Sequence, residues 1–200
     1  MKIITVAHQK GGVGKTTLAL NIAYCLSEDL RVGITDTDLQ GSISEIESFL
    51  SGIDLVPLDK VIKGEELPYD VIIIDTPPYL TGSLNEIFQI SDYVLIPTKP
   101  GFLDALAIKA TIFLFNKAKK DRPELKGGIV MNMLQGRTSI TEEVKTILKE
   151  YSIPLLETTI YHRVSLTRSP MTAGVFTGED TKAKTEITNL TYEILNDLNQ

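Results

Sequence analysis

One cysteine stands in the 200 residues, Cys25, and it lies in an apolar helical stretch. Neither a disulfide framework nor a cysteine metal site can therefore form within one chain. An export signal is also missing. Met1 leads within two residues into the strand-like run Ile3 to Ala7, with no charged-then-apolar leader before it. No later apolar stretch approaches membrane-spanning length, so a reducing, cytoplasmic setting is expected. The chain lacks a basic surplus as well: its net charge is −6 and its isoelectric point about 5.0. A dedicated nucleic-acid binder carries excess lysine and arginine, so any DNA contact must come from a local patch. The two histidines, His8 and His162, are far apart and no third ligand accompanies either, which argues against a transition-metal site. No Ser/Gly-rich or Pro-rich linker and no internal repeat interrupts the sequence. One domain over residues 1–200 is expected, with no DNA-reading domain ahead of its first strand.

Hydrophobic residues make up 42% of the chain and charged residues 23%, which suits one compact core. Short β-rich runs alternate with helical patterns almost from end to end. The runs are Ile3 to Ala7, Val32 to Thr35, Asp54 to Pro57, Val71 to Ile74, Tyr93 to Pro97, Gly128 to Met133 and a weaker Leu155 to Ile160. Val71, Ile72, Ile73 and Ile74 are continuously apolar, as strands buried on both faces must be. Helical spacing appears over Thr16 to Glu28, with Leu18, Ile22, Cys25 and Leu26 on one stripe, and over Asp104 to Lys120, Ser139 to Tyr151 and Lys182 to Leu198. This alternation predicts an α/β, doubly wound, mainly parallel sheet with helices on both faces. Ligands of such folds bind at the carboxyl ends of the strands.

His8-Gln9-Lys10-Gly11-Gly12-Val13-Gly14-Lys15-Thr16-Thr17 follows the first strand and opens the first helix. Its glycines let successive N–H groups converge on phosphate oxygens, and the helix N-terminus adds partial positive charge. Lys15 can reach the β- and γ-phosphates, and the Thr16 hydroxyl is placed to ligate Mg²⁺. The common G-x-x-x-x-G-K-[ST] pattern fails at its first position, where Gln9 stands. Lys10 instead adds a second cation five residues before Lys15. Two lysines on the same phosphates would repel without the anion, so Lys10 is expected to be free to point across an interface.

On these residues the chain resembles the deviant-Walker-A, or ParA/MinD, family of P-loop ATPases, whose hallmark is the string Lys10 to Thr17. Asp36-Thr37-Asp38-Leu39-Gln40-Gly41 resembles the family's first switch segment, with Leu39 where proline is common. Asp70 to Pro78 resembles its Walker B strand and second switch, and Ile160 to Pro170 the stretch after the last strand of partition proteins. The resemblance implies an ATP-sandwich homodimer in which Lys10 of each subunit reaches the phosphates bound by the other. It further implies that Asp38 orients the attacking water and that Asp75, with Asp36, holds the Mg²⁺ shell through water. The competing reading of Asp36 and Asp38 is a polar strand-to-helix turn in which one carboxylate caps a helix. Asp75 closes an apolar run, where an unbonded carboxylate would be costly.

Asn132, at the end of the sixth run, either offers its amide to the adenine edge or is an ordinary turn asparagine. Tyr161 and His162 are further candidates for the base pocket by resemblance. Arg163, Arg168, Lys182 and Lys184 form a dispersed basic set where the resemblance puts a surface for nonspecific DNA. Lys117, Lys119, Lys120 and Arg122 either join it or only complement a helix C-terminus. The polar face of the last helix is acidic, unlike a membrane-surface helix, so this helix is expected to pack on the sheet without contacting a membrane.

The resemblance implies a ParA-like partition ATPase, nucleoid-associated, that hydrolyses ATP when a ParB-like or adaptor partner on plasmid, chromosome or protein cargo stimulates it. The alternative is a spatial regulator of the MinD or flagellar-placement type acting at the membrane. Metal-handling relatives need paired cysteines, which this chain does not have.

Overall fold

The computed structural model of the chain describes residues 1–37, 43, 47–48, 50–78, 83–136 and 139–200. Among them seven strands form one parallel sheet: β1 (Lys2–Val6), β2 (Val32–Asp36), β3 (Asp54–Leu55), β4 (Val71–Asp75), β5 (Tyr93–Thr98), β6 (Lys126–Leu134) and β7 (Leu155–Tyr161). Their order across the sheet is β3-β2-β4-β1-β5-β6-β7. The strand carrying the glycine loop is thus central, with β4 on one side and β5 on the other.

The apolar runs are continuous because consecutive residues serve different layers. Val71 and Ile73 join a cluster with α1 (Lys15–Leu26) and α8 (Thr181–Asn199). Ile72 and Ile74 point the other way, toward α3 (Ser83–Ile90), α5 (Lys109–Asp121) and α6 (Ser139–Lys149). Ile187, Leu190 and Ile194 bury the inner face of α8, as its amphipathic pattern requires. Each large aliphatic side chain so buried contributes roughly 1.5–3 kcal/mol of transfer free energy.

All seven expected strands are present, although β3 stops at Leu55 because Pro57 caps α2 (Leu58–Ile62) instead of extending the ladder. The helix expected over Asp104 to Lys120 is two helices, α4 (Phe102–Ala107) and α5. They meet at the fully buried Ile108, whose N–H turns to Leu106 O. Helices α2, α3 and α7 (Val164–Arg168) were not foreseen, yet Leu84, Ile87 and Phe88 of α3 carry the helical spacing plainly.

At the outer edge of β7, α8 supplies acceptors where a further strand would otherwise pair. The Glu193 carboxylate accepts the N–H groups of Glu157 and Thr158 at 2.7 and 3.0 Å, and Glu186 accepts that of Tyr161 at 3.1 Å. No helix among the described residues is long and apolar enough to cross a membrane.

Candidate functional site

The loop from His8 to Gly14 leaves β1 at the carboxyl edge of the sheet, where Ala7 N–H is held by Leu95 O of β5 at 2.9 Å. Gly12 and Gly14 have φ of 68° and 89°, the left-handed region that glycine enters without strain. Gly14 caps α1 without contributing a side chain, so the first N–H groups of α1 stay available to an anion. A Cβ at Gly14 would sit 2.4 Å from Asn132 Nδ2, so the loop also needs glycine there for space. Lys15 is buried, and its Nζ donates to Lys10 O at 3.4 Å.

His8 shapes the entrance of this loop. Its Nδ1 accepts the Lys10 N–H at 2.8 Å, and only 1% of the residue is exposed. Burial, followed by the charge of Lys15, lowers its pKa from 6.5 to about 4. The ring is therefore neutral at ordinary pH, with its proton on Nε2.

Val6, Asp36 and Asp75 lie level on adjacent strands, because β1 and β2 both pair with β4 in that register. Thr16 Oγ1 donates to Asp75 Oδ2 at 2.6 Å, which joins the first turn of α1 to the end of β4. Thr37 Oγ1 donates to Asp75 O at 2.8 Å. Asp36 Oδ2 accepts the Ile43 N–H at 2.8 Å, so one of its oxygens is engaged within the chain. The donor set of one hydroxyl and two carboxylates is all hard oxygen and fits Mg²⁺. Among the described residues there is no group of three or more His, Cys, Asp or Glu side chains that could cage a metal unaided. Asp38 lies outside the described residues.

Lys10 departs from expectation. Its ammonium is not free in the single chain but bonds Asp104 Oδ1 at 2.6 Å. Asp104 lies on α4, 94 residues away, and no local pattern links the two. The Lys10 side chain is 43% exposed and its ammonium is held by this one carboxylate, so the pair can exchange with another anion.

Beside the loop is a cavity of about 120 Å³, lined by Thr17, Asn132, Met133, Tyr161, His162 and Leu166 among others. The three base-pocket candidates thus converge on one hollow at the start of α1. Asn132 lies inside β6, which runs on to Leu134. Its amide is engaged at both ends: Nδ2 donates to Val13 O at 2.8 Å and Oδ1 accepts Met133 N–H at 2.9 Å. Its direct contacts here brace the phosphate loop. Met133 has φ 59°, a sparsely populated backbone for a non-glycine residue, at the lip of the same hollow.

Asn21 was not singled out from the sequence. Fully buried on α1, it donates to Thr17 O and Ser169 Oγ, each at 2.7 Å, and accepts Val175 N–H at 2.9 Å. It thereby ties the phosphate helix to the segment after α7. Only its place one turn beyond the loop could have marked it.

The basic candidates separate. Arg163 bonds Glu186, lies 3.9 Å from Asp180 and covers the Tyr161 ring, so its guanidinium is committed within the chain. Arg168 and Lys182 are exposed, and Lys184 is half-buried. Arg122 donates to Gln89 O and Ser91 O, and Lys119 to Leu125 O, which makes that cluster partly a structural brace.

The family described as the CobQ/CobB/MinD/ParA nucleotide binding domain matches residues 4–174. The maintenance of carboxysome distribution protein A of Halothiobacillus neapolitanus is 31% identical over 183 residues, covering 86% of this chain and 84% of that protein. A putative plasmid partition protein from Borrelia burgdorferi, solved with AMPPNP, has the same fold with a TM-score of 0.76 at 23% identity, over 98% of both chains. The septum site-determining protein MinD of Pyrococcus horikoshii OT3, solved with Mg-ADP, gives 0.71 at 18% identity, over 96% of this chain and 95% of that one. A central strand, a glycine loop and a Thr16–Asp75 pair at the sheet's carboxyl edge agree with these matches, and the chain belongs to the CobQ/CobB/MinD/ParA nucleotide-binding family.

Proposed function

We propose that this chain is a Mg²⁺-dependent ATPase of the ParA type that positions a cargo by switching between a monomer and an ATP-bound homodimer. The observation that carries this reading is the meeting of Thr16 Oγ1 and Asp75 Oδ2 at 2.6 Å beneath the glycine loop, with two lysines close by. A hydroxyl and a carboxylate so placed suit a phosphate-chelated divalent ion better than a purely structural turn. Kinship with a carboxysome-distribution protein favours a protein assembly as cargo, and plasmid or chromosome cargo remains compatible with the same chemistry.

In this reading the amides of Gly11 to Thr16 surround the phosphate chain and Lys15 neutralises it. Thr16 and Asp36 with Asp75 hold the cation, the aspartates through water. When bound, Mg²⁺ would supply positive charge against the negative charge that develops on the phosphate oxygens during transfer. Asp38 holds the attacking water in line. Lys10 leaves Asp104 for the phosphates of the second subunit, which links turnover to dimerisation. Asn132, Tyr161 and His162 border the base. Arg168, Lys182 and Lys184 supply attraction for nonspecific DNA in the dimer, and a ParB-like or adaptor protein on the cargo stimulates hydrolysis and release.

The test is retention on nonspecific DNA and on anionic vesicles with ATP, ADP or no nucleotide. ATP-dependent, salt-sensitive DNA retention is expected. Vesicle binding, or DNA binding indifferent to nucleotide, would overturn the reading in favour of a membrane regulator or an unrelated role. Lys15→Ala is expected to abolish nucleotide binding, and Lys10→Ala to preserve binding while strongly lowering turnover.

A further inference from the structure

The sheet order places the two flanks of the phosphate loop under different charge. Asp36 and Asp75 end β2 and β4, on one side of β1, and β5 lies on the other. Lys99 is the first residue past β5. It is half-buried, and a Cβ built on Gly12 would lie 3.9 Å from its Nζ, so the ammonium stands over the loop itself.

The charges on that flank do not cancel. Lys10 is matched by Asp104 at 2.6 Å. Lys99 lines the same open cavity of about 410 Å³ as Asp104, yet among the described residues no carboxylate lies within ion-pairing distance of it. A half-buried ammonium beside a loop whose amides already concentrate positive potential is unfavourable unless an anion arrives. The loop motif does not include this residue, and neither the motif nor the neighbouring ion pair accounts for its position.

We infer that Lys99 is a third phosphate-directed cation, acting in cis on the phosphate chain held by its own loop from the flank opposite the carboxylates. The inference rests on the nucleotide reading above and deepens it. With Lys10 engaged by Asp104 in the monomer, Lys99 and Lys15 together offset the phosphate charge until a second subunit joins.

Calorimetry with MgADP on the full chain tests this, because the diphosphate isolates the cis contact from dimerisation. Lys99→Met keeps the aliphatic stem and removes the charge. It is expected to weaken MgADP binding by about tenfold, the scale of one charge-assisted hydrogen bond, and to flatten the salt dependence of binding. Lys99→Arg is expected to restore most of the loss, and the nucleotide-free melting temperature of Lys99→Met to lie at or above the wild-type value. If the wild type binds MgADP and Lys99→Met binds equally well, the inference is wrong while the nucleotide reading stands. If Lys99→Met binds MgADP normally but fails to dimerise with a triphosphate analogue, the lysine serves the partner subunit, and the cis assignment is overturned. If the wild type binds no nucleotide, the functional reading itself fails.

Discussion

Replacing His8 with asparagine separates two roles of the imidazole at the loop entrance. Asparagine Oδ1 can take the place of Nδ1 and keep accepting the Lys10 N–H, but it cannot titrate. In the folded chain the His8 pKa is lowered from 6.5 to about 4 by burial and by Lys15, with Asp104 opposing and Lys10 adding to the effect. Above pH 6.5 both folded and unfolded forms are neutral and stability is unaffected. Below it the unfolded imidazole takes a proton that the buried ring refuses until about pH 4, so stability falls through that window as pH falls. The full difference corresponds to roughly 3 kcal/mol, and between pH 7.5 and pH 5 to about 2 kcal/mol. Urea unfolding followed by circular dichroism at those two pH values measures it. The wild type is expected to lose about 2 kcal/mol more than His8→Asn, the contribution of the carboxylates cancelling in the difference. Parallel losses in the two proteins would show that the ring is not held neutral, and the account of the loop entrance would be wrong.

Gly14→Ala is expected to destabilise the chain by about 2–3 kcal/mol and to abolish nucleotide binding by calorimetry, because left-handed backbone strain adds to a clash with Asn132 Nδ2. Gly52→Ala, at φ 75° with open space around the new methyl, is the control and should cost only about 1 kcal/mol. Asn21→Ala strips three hydrogen bonds, two of them buried, and should cost roughly 2–4 kcal/mol in urea unfolding, with hydrogen exchange accelerated over 166–175 before the sheet. Asp104→Asn releases Lys10. Because the pair is partly exposed, stability should change by less than about 1 kcal/mol, while dimerisation with a triphosphate analogue, read by light scattering, should strengthen by up to about fivefold.

Elements whose signal is local were legible in the sequence. Val71 to Ile74 announces a strand buried on both faces because each residue serves one of two layers, and Gly12 and Gly14 announce the loop because few other residues adopt its backbone. Partnerships between distant residues were not legible. Asp104 meets Lys10 only after α4 is laid beside the loop, and Glu186 reaches Arg163 only once α8 covers β7. Both pairings changed the meaning of a cation that had looked available. Asn132 was found by position, but its bracing of Val13 depends on β6 running past it. The division of α4 from α5 escaped the periodicity because apolar spacing continues across Ile108, where only the backbone turns.

The carboxylates of Glu186 and Glu193 have a consequence for how copies of this chain can gather. An open strand margin is where like molecules zip together into fibres, and here its amides at 157, 158 and 161 are already satisfied from within. Lateral growth through that rim would first have to evict two negatively charged side chains from short contacts. Higher-order arrays of this molecule, on any scaffold, must therefore be built from other faces, and a two-fold pairing can close without seeding a filament along β7.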